Sequence, residues 1–265
     1  MVLKISDLAV CAEVSQHMVS DYGNHGLLGP VFRAKNNNYR SYDPRQIPQF
    51  YVIKTLRRLG YSLPQVIEYG QNRTPELAIE LFSRCSTKLQ EEITALQTQL
   101  DILQSHVSLI KEGQSVQPGS IEMRSLAERP IHRSSLEHLD GKRKDLDRLR
   151  RAHGEIRQNG NAGCPLGFAY NDFFDLLETP SQPAQLISFD PQGSEVRPAG
   201  EYLVGTAVCC YGEEKILADL MFDYVLQNNL EFSGQAYVAY LWDAASVAEP
   251  EQYLLQVTVK VNRMQ

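Results

Sequence analysis

Leu89, Ile93, Leu96, Leu100, Leu103, Val107 and Ile110 recur in alternating steps of four and three residues. This heptad seam predicts one helix over residues 75–112, about 57 Å long at ~1.5 Å per residue. A lone seam needs a partner helix. Two copies of the chain joined as a two-stranded coiled coil supply one; packing on the chain's own C-terminal half is the alternative.

The preceding segment, residues 1–74, is punctuated into short helices. Ser6 is placed to cap a helix carrying Leu8, Ala9 and Ala12, and Ser15 to cap a second after a turn at Glu13-Val14. The second helix exposes Gln16, His17, Ser20 and Asp21 and stops at Gly26, which makes a helix-turn-helix candidate. Next come Arg33, Lys35, Asn36, Asn37, Asn38, Tyr39, Arg40 and Tyr42, basic and aromatic side chains around a turn of three asparagines. That pattern suits a wing lying along a phosphate backbone. Asp43-Pro44 opens a helix through Phe50, Ile53, Leu56 and Leu59 to Gly60, and Ser62-Leu63-Pro64 opens another.

Residues 113–120 read as a linker, rich in Gly, Ser, Gln and Pro. Beyond them the period alternates between strand and helix. Strands are expected at 121–134, 166–170, 184–189, 195–211, 235–242 and 253–261, with helices at 140–158 and 213–228. Strand, helix, strand, strand thus occurs twice, which predicts an internal duplication with a ligand site between the halves. The fold class is α+β multidomain. Its parts are a winged helix-turn-helix (1–74), a coiled-coil dimerisation helix (75–112), a linker and a duplicated effector-binding domain (121–265).

Charge sharpens this division. The formal net charge of −6 is unevenly spread: residues 1–74 carry nine Lys/Arg against five Asp/Glu, a net of +4, and residues 120–265 carry a net of −7. A polyanion is therefore expected to meet the head alone. The longest apolar runs fall far short of the ~18 residues of a membrane span. Asp7 and Glu13 interrupt the apolar stretch near Met1, so a cytoplasmic protein with no membrane partner is expected. Five cysteines with no C-x-x-C spacing argue against a disulfide framework or zinc knuckle and predict buried free thiols. The basic stretch from Lys142 to Arg151 reads as a solvated amphipathic helix.

Gly26-Leu27-Leu28, Asn38-Tyr39-Arg40-Ser41-Tyr42 and Leu56-Arg57-Arg58-Leu59-Gly60-Tyr61-Ser62-Leu63 resemble the MerR family of transcription regulators over residues 3–112. Pro165-Leu166-Gly167-Phe168-Ala169-Tyr170, Pro198-Ala199-Gly200-Glu201-Tyr202 and the last strand are similar to the GyrI-like effector domain of its multidrug-sensing, BmrR-like branch. The resemblance implies a homodimer on promoter double-stranded DNA. It also implies that spacer distortion, usually effector-dependent, lets RNA polymerase holoenzyme use a promoter whose elements are too far apart. It places Ser15, Gln16, His17, Met18, Ser20 and Tyr22 at the recognition helix, Arg33, Tyr39, Arg40 and Tyr42 at the wing, and Arg57 on the following helix. Ser20-Asp21-Tyr22 departs from the family's usual Arg-Tyr-Tyr, and a lost bidentate Arg contact is worth about 1–3 kcal/mol.

The same branch implies a lipophilic, often cationic, effector held between aromatic faces. Phe168, Tyr170, Tyr202, Tyr237, Tyr240 and Trp242 are the candidates. Strand alternation puts Tyr240 and Trp242 on one face, and Phe168 with Tyr170 on one face. The branch's buried last-strand Glu is matched here by Gln256, which cannot neutralise a cation. A cation would then need another carboxylate, such as Asp172, Glu201 or Asp243; otherwise the ligand is neutral. No metal site, cofactor or catalytic residue is expected, and no Ser-His-Asp or Cys-His constellation is legible. The alternatives are a drug-sequestering protein with weakened DNA binding and a small-molecule hydrolase of the GyrI-like type.

Overall fold

The computed structural model describes residues 2–28, 32–33, 40–135, 145–159, 163–180, 182–210 and 213–264; residues 32–33, 145–149 and 159 are described in backbone only. The chain divides into two compact units, Met1–Thr94 and Ala95–Gln265.

The first unit runs β1 (Leu3–Lys4), α1 (Ile5–Cys11), α2 (Gln16–Asn24), β2 (Phe32–Arg33), β3 (Arg40–Tyr42), α3 (Ile47–Arg58), α4 (Leu63–Asn72) and the first half of α5 (Pro75–Ser115). Its three strands pair antiparallel in the order β1-β3-β2. Local chemistry accounts for the helix boundaries. Ser15 Oγ accepts from Met18 N at 3.1 Å to start α2, and Gly26 at φ +72° ends it. Ser62 N donates to Gln65 Oε1 at 2.8 Å, one arm of a capping box. Ser6 is not the cap of α1, which begins one residue earlier; Lys4 N donates there to Asp7 Oδ2 at 3.2 Å. Leu8, Val19, Leu28, Phe50 and Leu56 form the core of this unit.

The turn between α1 and α2 holds Glu13 in the left-handed region at φ 54°. Lys54 Nζ from α3 clamps it, reaching Ala12 O at 3.4 Å and Glu13 O at 3.3 Å. Left-handed backbone costs a residue with a Cβ about 1–2 kcal/mol, part of which glycine returns as lost chain entropy. Glu13→Gly is therefore expected to stabilise this unit by about 1 kcal/mol or less, and thermal unfolding followed by circular dichroism checks it. A lowered midpoint would place the strain elsewhere.

The second unit contains the rest of α5, then β4 (Ile121–Leu126), β5 (Arg129–Arg133), α6 (Asp145–Asn159), β6 (Leu166–Tyr170), α7 (Phe173–Glu178), β7 (Gln185–Ser188), β8 (Glu195–Arg197), β9 (Gly200–Val208), α8 (Glu214–Gln227), β10 (Leu230–Trp242) and β11 (Leu254–Arg263). Eight strands form one sheet in the order β4-β9-β11-β10-β6-β7-β5-β8, every neighbouring pair antiparallel. Exchanging β4, β5, β6 and β7 for β8, β9, β10 and β11 maps this order onto its own reverse.

The connections force the sheet to curl. β4 and β5 stand at the first and seventh places, on the order of 29 Å apart in a flat sheet at ~4.8 Å per strand. Ala127-Glu128 alone joins them, a reach of roughly 10 Å. Pro198-Ala199 joins β8 to β9 under the same constraint, so the two ends of the sheet approach each other. The outer face carries Leu203, Val238, Leu255 and Val257 under α7 and α8, and Leu186 under α6. The inner face receives the end of α5, with Leu109 packed on Ile131, Ile187, Tyr237 and Leu254.

Several expectations shift. The strand at 121–134 is broken at 127–128 and the one at 195–211 at 198–199, which are the two links that curl the sheet. The expected linker begins too early, because α5 continues to Ser115. Helix α7 is additional; Asp172 Oδ1 caps it, accepting from Asp175 N at 2.9 Å. Lys142, Arg143 and Lys144 lie outside the described residues.

The seam of α5 stays open to solvent: Ile93, Leu96, Leu100, Leu103 and Val107 are 57%, 63%, 45%, 65% and 47% exposed. A different stripe, Asp101, Ser105, Leu109 and Gly113, is buried in the second unit. Packing on the chain's own C-terminal half therefore leaves most of the seam uncovered.

Candidate DNA interface and effector site

Helix α2 sorts its residues by phase. Gln16 and His17 are exposed and Ser20 half-buried, while Val19 and Tyr22 face the core. Tyr22 is 3% exposed and stacks on Phe50, ring centroids 6.1 Å apart, and burial pushes its hydroxyl pKa up. It packs α2 onto the core. Met18 is half-buried against the same core. Tyr42 is likewise a core residue, fully buried with no hydrogen-bond partner for its hydroxyl. Both tyrosines expected at the DNA surface are thus buried in the core of this unit. Arg40 Nη2 donates to Asn24 Oδ1 at 3.2 Å, tying β3 to the end of α2. Arg57 is exposed and bonds Tyr61 O at 2.8 Å through one nitrogen. Asp21 is engaged by His25 Nδ1 at 3.4 Å. Tyr39 lies outside the described residues, as do the three asparagines, and Arg33 sits in β2.

The candidate effector residues divide between the two faces of the curled sheet. Phe168, Tyr170 and Tyr240 lie on the outer face under the helices. There Tyr240 Oη donates to the buried Glu214 Oε1 at 2.8 Å, and Tyr170 Oη to a backbone carbonyl at Pro180. Burial, with Glu214 nearby, raises the Tyr170 pKa. Trp242 does not share the face of Tyr240. A register shift between them turns Trp242 to the inner face, where Nε1 donates to Ile110 O at 3.2 Å and the ring covers Gly113.

The inner face gathers Tyr202, Tyr237 and Gln256 around four cations. Arg133 Nη2 donates to Tyr237 Oη at 3.1 Å, its Nη1 donates to Gln235 Oε1 at 2.7 Å, and its Nε lies 3.1 Å from Glu195 Oε2. Arg197 sits 5.3 Å above the Tyr202 ring centroid and Lys260 5.6 Å. Arg129 stacks on Phe189 at 4.7 Å and pairs with Glu112 Oε2 at 3.2 Å. Gln256 Nε2 donates to the other Glu112 oxygen at 3.0 Å. Glu112, on the last turns of α5, is thus the carboxylate beside Gln256, and nothing in the sequence spacing points to it. Asp172, Glu201 and Asp243 do not take that place: Asp172 caps α7, Asp243 accepts from Ala245 N at 2.9 Å within its own turn, and Glu201 is exposed.

Folding also brings a distant histidine to a serine and a carboxylate that lie four residues apart. Ser194 Oγ lies 3.3 Å from His132 Nδ1, and His132 Nε2 lies 3.6 Å from Asp190 Oδ2. The Asp190 Oδ1 accepts from Gln192 N at 2.9 Å and its carbonyl from Gly193 N at 2.9 Å. This network pins the 190–194 turn on β5. Among the described residues, no group of three or more His, Cys, Asp or Glu could hold a metal ion, and no helix is long and apolar enough to cross a membrane.

The thiols are not uniformly buried. Cys85, Cys164 and Cys209 are, Cys210 is half-buried, and Cys11 is exposed. Burial, then Glu214 and Glu213, push Cys209 up to about 11, and burial raises Cys164 and Cys210. The thiolate is the reactive form. A disulfide reagent at pH 8 is expected to modify Cys11 first, with Cys209 reacting only as pH rises toward its pKa. Mass spectrometry of the modified peptides checks this order, and early labelling of Cys209 would contradict it.

The first unit thus has the build of a winged helix-turn-helix, a class that binds DNA. Residues 3–72 match the model of the MerR HTH family regulatory proteins. The chain is 34% identical to the transcriptional regulator BrlR of Pseudomonas aeruginosa over 98 residues, 36% of each protein. It is 29% identical to the HTH-type transcriptional regulator CueR of Bacillus subtilis over 105 residues, 40% of this chain and 66% of that one. The chain therefore spans about a third of BrlR and just under two thirds of CueR. Among solved structures, EcmrR in the EcmrR–DNA complex in EcmrR-RPo aligns over 99% of this chain and 100% of that one, at 15% identity and a TM-score of 0.43. A superposition that loose decides nothing about function.

Proposed function

We propose that the protein is a ligand-responsive transcription activator. Two chains join along α5 as a homodimer and bind promoter double-stranded DNA through α2 and the wing. They deform an overlong spacer for RNA polymerase holoenzyme and respond to a lipophilic small molecule on the inner face of the curled sheet. The observation that carries this reading is α5 itself. Its first half lies in the MerR-type unit, and its last turns are built into the inner face through Leu109, Ile110, Glu112 and Gly113. Effector binding there acts on a helix that continues into the DNA-binding unit.

The exposed seam supports the dimer, since apolar side chains at heptad spacing gain from burial against a second copy. The self-mapping strand order supports an effector domain duplicated from one strand–helix–strand–strand unit. The protein is not an enzyme in this reading, and the Ser194, His132 and Asp190 contacts hold the 190–194 turn on β5. Asp21, near the exposed side of α2, favours drug sequestration with weak DNA binding as the second reading. In vitro transcription from the protein's own promoter region, with its polymerase elements spaced too far apart, decides between them. Activation that needs both protein and effector supports the regulator; effector binding without any change in transcription supports sequestration.

A further inference from the structure

We infer that the inner face of the curled sheet takes an aromatic anion, a carboxylate or phosphate on a planar ring system, and not the lipophilic cation of the multidrug branch. The inference rests on the effector-site reading above and names the chemistry of its ligand.

Charge is the first ground. Arg129, Arg133, Arg197 and Lys260 converge there against two carboxylates, Glu112 and Glu195, a local net of +2 within a unit whose overall charge is negative. Glu112 is already held by Arg129 and Gln256, so it offers a cation little free charge.

Arg197 is the second ground. It is 7% exposed, and its Nε is buried with no hydrogen-bond partner. Among the described residues no carboxylate lies within 4.0 Å of it, and its Nη2 donates to Ala127 O at 3.2 Å. Burial, and secondarily Arg129 across the β5–β8 ladder, lower its pKa, yet a guanidinium stays protonated at any working pH. A buried cation with only the more distant Glu112 as counter-charge is costly, and an anion that accepts from its unpartnered Nε lowers that cost. Tyr202 and Tyr237 carry these cations on their rings, Arg197 and Lys260 on Tyr202 and Arg133 on Tyr237, so a planar aromatic ligand would meet the cations beside aromatic surface.

The test uses the full-length chain, titrated calorimetrically with 2-naphthoate, 2-naphthyl phosphate, neutral 2-naphthol and tetraphenylphosphonium. At least one anion is expected to bind about tenfold or more tightly than the neutral ring and the cation, and the two anions show which headgroup is preferred. Arg197→Gln is expected to weaken the anion by about tenfold or more and leave 2-naphthol unchanged. Arg197→Lys keeps the charge and is expected to retain much of the affinity; it serves if the glutamine variant fails to fold, judged by circular dichroism. Tighter binding of tetraphenylphosphonium, an unchanged anion affinity in folded Arg197→Gln, or no anion binding at all overturns the inference. An anion that binds through Arg197 without altering transcription upholds the site and sinks the effector reading. A cation that binds and activates does the reverse.

Discussion

A chain carrying Leu100→Asp and Leu103→Asp is expected to be monomeric and to lose its tight binding to promoter DNA. Both leucines lie on the open seam of α5, 45% and 65% exposed, while the stripe that packs on the chain's own sheet runs through Asp101, Ser105 and Leu109. Folding of the single chain thus has little stake in them. In the proposed dimer each is buried, worth roughly 1.5–3 kcal/mol per side chain. Aspartate in its place buries an unpaired charge, a further cost of several kcal/mol. Losing the second copy halves the DNA contacts. Sedimentation velocity reads the mass and anisotropy reads the DNA affinity. A double variant that remains dimeric would move the interface off the seam, and a wild-type monomer that binds DNA tightly would remove the need for one.

Phe50→Ala is expected to cost about 3–5 kcal/mol, the range for removing a fully buried aromatic side chain. Phe50 is 0% exposed and stacks on Tyr22, the residue that seats α2. The loss falls on the first unit. Trp242, the chain's only tryptophan, belongs to the second unit and so reports the unfolding of that unit. The helical signal in circular dichroism should therefore melt earlier in part, with the tryptophan transition unmoved. A tryptophan transition shifted by the same amount would show that the two units unfold as one.

What the sequence shows and what it hides separate along physical lines. Local periodicity and caps are legible: the heptad spacing marks the long helix Pro75–Ser115, and Ser15, Ser62 and the glycine at 26 set helix ends as their chemistry predicts. The burial of Tyr22 is legible in the phase of α2, three residues after the buried Val19, whereas the motif alone places Tyr22 and Tyr42 at DNA. Tyr240 and Trp242 parted because strand alternation holds only while the register does, and a shift lies between them. The inner-face cluster was not legible at all. It joins Glu112 of α5, arginines of β5 and β8 and tyrosines of β9 and β10. They meet only because two-residue links curl the sheet, and spacing along the chain carries no trace of that closure.

The central claim, that this is a DNA-binding regulator with its sensor built onto the same helix, is most directly tested by one titration. A fluorescently labelled duplex of the protein's own promoter region, with an overlong spacer, is bound at two salt concentrations, with and without 2-naphthoate. The account predicts tight binding of a dimer that weakens as salt rises, since the +4 head contacts phosphates. Quenching of Trp242 by ligand with no binding to the duplex at either salt concentration would contradict it.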